Sequence, residues 1–141
     1  MSVASPSPAH ALRAILPEDR IHEGERAARW TVGDHRAAVV ALPESVEEAG
    51  AVLARASTEG WKVALAGAGT MLRGTRKAPD LVLSAARMTR VFAYEPADLT
   101  ITVGAGMRMA DLASTVGARR QWLPLDPPAE GATIGATIAT E

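Results

Sequence analysis

Residues Val63–Gly74 read VALAGAGTMLRG, an apolar run that delivers Gly67, Ala68, Gly69 and Thr70 into a turn, with Gly74 just beyond. A turn of this composition suits one kind of chemistry. Glycine accepts positive φ, so the amides of Ala68, Gly69, Thr70 and Met71 can converge on one anion as a backbone nest. Small side chains at 66–69 let a diphosphate approach the main chain, Thr70 offers a hydroxyl, and Arg73, Arg76 and Lys77 bring positive charge nearby. The spacing is that of neither common phosphate loop. G-x-G-x-x-G requires glycine at 72, where Leu72 stands, and the Gly-Lys-Ser/Thr of a Walker A loop is absent. The chain continues to Pro79 and then a strand, so the loop leads into no helix whose dipole would aid an anion. The same residues also serve as a plain turn with solvated basic side chains.

Magnitudes show that this loop needs help. Four charge-assisted amide bonds at about 1.5–3 kcal/mol each sum to about 6–12 kcal/mol, against an association cost of about 4–15 kcal/mol. A second segment with little side-chain bulk occurs in the tail, PLDPPAEGATIGATIATE, where Gly131, Ala132, Thr133, Gly135 and Ala136 permit close backbone approach and Thr133 and Thr137 carry hydroxyls. Read alone it is a tail of biased composition; read with the first loop it is the opposite wall of a shared site.

The elements that must position these segments are legible from pattern. Ala37–Leu42 is a short buried strand closed by Pro43. Ser45-Val46-Glu47-Glu48 is a capping box, followed by Val46, Ala49, Val52, Leu53 and Ala56 on one helical face and by Gly60 at the exit. Trp61–Ala66 and Leu81–Ser84 read as strands, and Arg90–Glu95 and Leu99–Gly104 as a hairpin about Pro96-Ala97-Asp98. Met109, Leu112, Ala113 and Val116 share a face of a second helix ended by Gly117, and Pro124, Pro127 and Pro128 mark a loop beyond it. The order is β-α-β-loop-β-β-β-α, an α+β arrangement. Residues 1–17, rich in Ser, Pro and Ala, read as a mobile lead-in; residues 18–35 read as an irregular arm; regular patterning fills 36–141.

Composition excludes several functions. Basic and acidic residues balance at 15 and 16, with no basic stripe interleaved with aromatics, which argues against nucleic acid. Without cysteine there is no disulfide, thiolate nucleophile or thiolate-bound metal. No apolar run approaches the length of a membrane span, and MSVASPSPAH lacks the marks of a signal peptide; cytoplasm is the expectation. Aromatics make up only 4% of the chain, so the core must be built of small aliphatic residues. His10, His22 and His35 have no metal-site spacing and read as surface residues, Asp111 as a solvated helix residue, and Trp61 and Trp122 as packing beside the core. No acid–base set is visible, so the catalytic residues are unassigned and no metal is expected.

In order along the chain, P-x-S-V-E-E, the GAGTMLRG loop, DLVLSAARMTRV, YEPADLTITVGAGMRMADL, LPLDPP and ATIGATIAT resemble the FAD-binding domain of the vanillyl-alcohol oxidase / p-cresol methylhydroxylase superfamily of FAD-linked oxidases. The resemblance covers about Arg36–Glu141. Within the superfamily the WLPLDPP…GATIGATIAT segment is most similar to the FAD-binding subunit of bacterial glycolate oxidase, with D-lactate dehydrogenase-like relatives close behind. It implies the N-terminal subdomain of a PCMH-type fold, a small mixed sheet with flanking helices, plus the start of the second subdomain. It also implies FAD as cofactor and oxidation of a small 2-hydroxy acid of the glycolate or D-lactate kind. Gly67, Ala68, Gly69 and Thr70, extended by Met71 and Gly74, match the loop that wraps the FAD pyrophosphate. Asp126, Pro127, Gly131, Ala132, Thr133 and Gly135 match the segment on the cofactor's other side.

Departures from the pattern carry consequences. Ala68 and Ala136 stand where the family often has glycine, which requires negative φ there. Thr70 stands where covalently flavinylated relatives carry histidine, which implies a non-covalent flavin. The family's FAD domain continues past its A-T-I-G-G stretch into a substrate domain, so the expectation is an incomplete domain lacking its own substrate site, completed by further chain or by another subunit of a multi-subunit oxidase. Two other readings stay open: a non-catalytic module that binds a nucleotide or a partner, and a truncated, inactive remnant.

Overall fold

The computed structural model describes residues 7–69, 77–126 and 131–140. Its centre is a four-stranded sheet of β1 (Ile21–Glu23), β4 (Val39–Ala41), β5 (Val63–Ala66) and β6 (Leu81–Ser84), in the spatial order β1-β4-β6-β5. β1 runs antiparallel to β4, while β4 and β5 both run parallel to β6, so the sheet is mixed. The central strands are apolar at every position but Ser84, the last of β6, because they are covered on both faces. Val39, Ala41, Leu81 and Leu83 pack on one side with Val52; Val40 and Val82 pack on the other with Ala27, Val32, Ala37 and Leu42.

Helix α3 (Val46–Glu59) joins β4 to β5 and starts as its sequence requires. The Ser45 hydroxyl accepts the Glu48 amide at 3.1 Å, and the Glu48 carboxylate reaches back to accept the Glu44 amide at 2.8 Å, one residue before the cap. Gly60 ends the helix at φ +70°, a conformation that costs glycine no Cβ clash. Glu48 also pairs with Arg20, which together with the Glu44 and Ser45 amides holds its carboxyl below the ordinary carboxylate range.

Over residues 7–35 the structure departs from the sequence expectation, while residues 1–6 lie outside the described residues. Within the segment read as mobile, Pro8–Leu12 forms α1, and Ala9, Leu12 and Leu16 are buried in the core. The physical signal is an N-terminal cap: the Ser7 hydroxyl accepts the His10 amide, and Pro8 occupies the first turn, where no amide is missed. The segment read as an irregular arm supplies β1, α2 (Gly24–Ala28) and a two-stranded hairpin of β2 (Thr31–Val32) and β3 (His35–Arg36). His22, on β1, is buried rather than on the surface; burial, with Arg26, Arg29 and Arg87 nearby, pushes its imidazole below the ordinary value. Asp19, Glu44 and Arg87 tie this region to the body through ion pairs at 3.1–3.4 Å.

Hairpin β7 (Val91–Glu95) and β8 (Thr100–Val103) and helix α4 (Met109–Gly117) lie as the pattern implies. They form a separate cluster in which Met107, Met109, Leu112, Val116 and Ile134 are buried, with Tyr94, Ile101, Val103, Leu123 and Leu125 against them. The mixed sheet with flanking helices, followed by this second cluster, is the α+β arrangement the resemblance implies. Trp61 packs beside the core, but Trp122 is 78% exposed, contrary to expectation. The tail, assigned no element from its sequence, forms helix α5 (Ile134–Thr140). Among the described residues no helix is long and apolar enough to cross a membrane.

Candidate cofactor-binding site

Strand β5 ends at Ala66, and the chain turns through Gly67, Ala68 and Gly69 at the rim of a hollow of about 300 Å³. The far wall is α5 and the residue before it: Thr133, Gly135, Ala136, Ala139 and Thr140. Leu65, Ala66, Ala85 and Ala105 complete the lining. Two segments of small residues, more than sixty positions apart, therefore face one space.

The turn is held from three directions. Ser84, fully buried at the end of β6, donates its hydroxyl to the Gly67 carbonyl at 2.8 Å and accepts the Ala86 amide at 3.1 Å. Thr133 lies so close to Gly67 that a Cβ there would overlap its hydroxyl oxygen, and would stand 3.2 Å from the Ala136 methyl. Gly69 adopts φ +85°, and the place of its Cβ is filled by the Trp30 indole, 2.8 Å away. Glycine at 67 and 69 is thus demanded by packing as well as by any ligand. What remains for a ligand is the main chain. Among the described residues, no acceptor takes the amide of Ala68 or Gly69.

The tail wall differs from the sequence expectation. A two-sided grip by free amides requires the tail's N–H groups to be available, yet most are committed within the chain. Ile134 donates to the Met107 carbonyl at 2.8 Å, Gly135 to the Ala105 carbonyl at 2.9 Å and Ala136 to the Thr133 hydroxyl at 3.3 Å. Thr137 is buried, and its hydroxyl donates to the Thr133 carbonyl at 3.0 Å, so it offers nothing to the hollow. The tail supplies a smooth wall of methyl and methylene groups, and the turn supplies the donors.

Of the residues singled out from sequence, Gly67, Ala68, Gly69, Thr133 and Gly135 line the hollow. Ala132 is buried beside it, its carbonyl accepting the Met109 amide at 2.9 Å, and Gly131 is half-buried with φ +82°. Asp126 is exposed and does not line it. Thr70, Met71, Gly74 and Pro127 lie outside the described residues. Sequence reasoning missed Leu65, Ala85, Ala105, Ala139 and Thr140, since single alanines and an α5 face carry no local signal. It also missed Ser84 and Trp30. Ser84 was open to detection, being a lone polar residue closing the apolar run Leu81–Leu83.

Chemically the hollow has a donor rim and an apolar wall. Among the described residues no charged side chain lines it, and no group of three or more acidic or histidine side chains is placed to hold a metal. Its volume is at the lower end of ligand pockets, about 300–1,000 Å³, so it accommodates part of a dinucleotide rather than the whole. Small walls that let a ligand reach the main chain, together with unclaimed amides beside them, fit a diphosphate flanked by an apolar group.

Solved structures share this architecture. The chain superposes on alkyldihydroxyacetonephosphate synthase with a TM-score of 0.83 at 19% identity, covering 96% of this chain and 32% of that one. It superposes on p-cresol methylhydroxylase with a TM-score of 0.73 at 13% identity, covering 93% and 28%. Residues 37–141 match the family described as FAD binding domain, and the chain belongs to that family. A curated relative, D-2-hydroxyglutarate dehydrogenase of Xanthomonas citri pv. viticola (strain LMG 965 / NCPPB 2475 / ICMP 3867 / CFBP 7660), is 37% identical over 130 residues, 88% of this chain. The chain spans 26% of that relative's length.

Proposed function

We propose that this chain provides the diphosphate-binding portion of an FAD-dependent dehydrogenase that oxidises a 2-hydroxy acid. The observation that carries the reading is the shared hollow. The Gly67–Gly69 turn and the Thr133–Thr140 segment meet across it, with the Ala68 and Gly69 amides unclaimed among the described residues. In this reading those amides bind the pyrophosphate and Thr133 and Ser84 hold the turn rigid. The alanines at 66, 85, 105, 136 and 139 pack against an apolar part of the cofactor and keep water from it. FAD, when bound, supplies the redox chemistry, while the protein supplies orientation and electrostatics. The name of the curated relative, a dehydrogenase of a 2-hydroxy acid, supports the substrate class. The flavin is held without a covalent bond, Thr70 standing at the position histidine takes in flavinylated relatives. The substrate is met by a further part of the protein or by another subunit, a reading supported by a lining that, among the described residues, offers no acid–base pair.

Titration of the purified chain with FAD and with ADP tests the reading, since both carry the same diphosphate. Both are expected to bind competitively. Ala68→Glu, which puts a carboxylate into the rim, is expected to weaken each by about tenfold or more with little change in thermal midpoint. Acid precipitation should release all bound flavin. Failure of the chain to bind either ligand, or equal binding by Ala68→Glu, would overturn the assignment.

A further inference from the structure

The family match begins at residue 37, yet one support of the glycine turn comes from before it. We infer that Trp30 is a positioning residue for the cofactor site, its indole acting as a wedge that sets the Gly67–Gly69 turn for diphosphate binding. The inference rests on the reading of that turn as the diphosphate rim.

Trp30 is itself well fixed. Its amide donates to the Ala27 carbonyl at 2.8 Å, and its carbonyl accepts the Ala37 amide at 2.8 Å, closing the base of the β2–β3 hairpin. The indole packs on the sheet face that also carries Ala27, Val40 and Val82, with Ala64 and Ala66 of β5 on the same side. Alternation along a strand puts Ala64 and Ala66 on one face, and their small side chains leave room for a large ring beside β5. Beyond Ala66 the ring meets Gly69, its Cε3 and Cζ3 atoms standing 2.8 and 2.9 Å from where a Cβ would be. Glycine at φ +85° has an unusually broad choice of conformations. A rigid aromatic surface under its Cα removes that choice. Ser84 pins the first residue of the turn through the Gly67 carbonyl, and Trp30 pins the last described one. Between them lie the Ala68 and Gly69 amides, unclaimed among the described residues, so their direction is fixed before a ligand arrives. Preorganisation of this kind raises affinity by cutting the ordering cost of binding.

The test uses the full chain and ADP, which does not absorb where tryptophan emits. Trp30→Phe retains a flat ring and is expected to bind ADP within about threefold of the unmodified chain. Trp30→Leu fills the core but supplies no flat surface, and is expected to bind about tenfold more weakly, with a thermal midpoint close to that of Trp30→Phe. In a Trp61→Phe, Trp122→Phe background, saturating ADP is expected to change the emission of the remaining tryptophan. Should Trp30→Leu bind ADP as tightly as Trp30→Phe, or the Trp30 emission stay unchanged while ADP binds, the wedge is refuted and the diphosphate site stands. Absence of ADP and FAD binding by the unmodified chain would remove both.

Discussion

Replacing Ser84 by alanine removes one oxygen and unties two backbone groups at once. Its hydroxyl donates to the Gly67 carbonyl at 2.8 Å and accepts the Ala86 amide at 3.1 Å, and the side chain has no solvent exposure. Each bond contributes about 1 kcal/mol net, and a buried group left unpaired costs about 1–3 kcal/mol. The Gly67 carbonyl sits in a half-buried turn where water replaces part of the loss, so the expected destabilisation is about 2–4 kcal/mol. For a domain of this size a loss of 1 kcal/mol lowers the midpoint by about 3–4 °C, which makes the expected shift about 6–16 °C. Thermal unfolding followed by circular dichroism reads the stability, and calorimetric titration with ADP reads the site. Affinity is expected to fall as well, since the turn loses the anchor at its first residue. Ser84→Cys, close in volume but a weaker hydrogen-bonding group, should fall between the two. A Ser84→Ala chain that melts within about 1 °C of the unmodified one and binds ADP equally well would refute this account of how the turn is held.

Other expectations follow from the same contacts. Gly69→Ala should lose stability as well as affinity, because its φ of +85° and the indole 2.8 Å away both oppose a Cβ; the left-handed conformation alone costs about 1–2 kcal/mol. Thermal melts in the absence of ligand check this, and an unchanged midpoint would contradict it. Gly67→Ala drives a methyl onto the Thr133 hydroxyl, so adding Thr133→Ala should recover part of the loss, with a coupling of about 1 kcal/mol or more in a double-mutant cycle. Additive losses would mean that the turn and the tail do not touch. Glu48→Gln should cost about 1–2 kcal/mol at neutral pH. Its folded-state carboxyl sits below the ordinary 4.5 because of Arg20 first and the Glu44 amide second. The stabilisation is therefore present above 4.5 and lost as pH falls below it. Denaturant midpoints of the two chains should converge in acid; a gap that stays constant with pH would contradict the charge assignment.

The parts of the fold that were legible are those whose signals are local. Helix α3 carries its cap at Ser45 and its stop at Gly60, but of the apolar face read from its spacing only Val52 and Ala56 are buried, while Val46 and Leu53 are exposed. The hairpin carries alternation and a Pro-Ala-Asp turn, and β6 is the apolar run Leu81–Leu83 closed by Ser84. Residues 7–35 were misread because composition was weighed over position. Ser7 and Pro8 look like disorder in bulk but form a helix start in order, and Ala9, Leu12 and Leu16 show helical spacing that short length obscured. β1 was hidden because a three-residue edge strand is specified by its pairing with β4, which no local pattern records. α5 was missed because Gly, Thr and Ile are poor helix formers. The helix persists there because Thr133 caps the Ala136 amide and Ile134 is anchored in the second cluster. At the candidate site, the turn that lines the hollow was legible from its glycines. The reason for those glycines was not, since Trp30 and Thr133 are distant in sequence and meet the turn only in the fold.

Backbone amide shifts recorded while ADP is added to isotope-labelled chain bear most directly on the claim that the Gly67–Gly69 turn and the α5 wall form one diphosphate site. The Ala68 and Gly69 amides are expected to move furthest, in step with saturation, with smaller shifts at Thr133 and Gly135 across the hollow. Saturable binding with the largest shifts on another face, and none at 68, 69, 133 or 135, would contradict it.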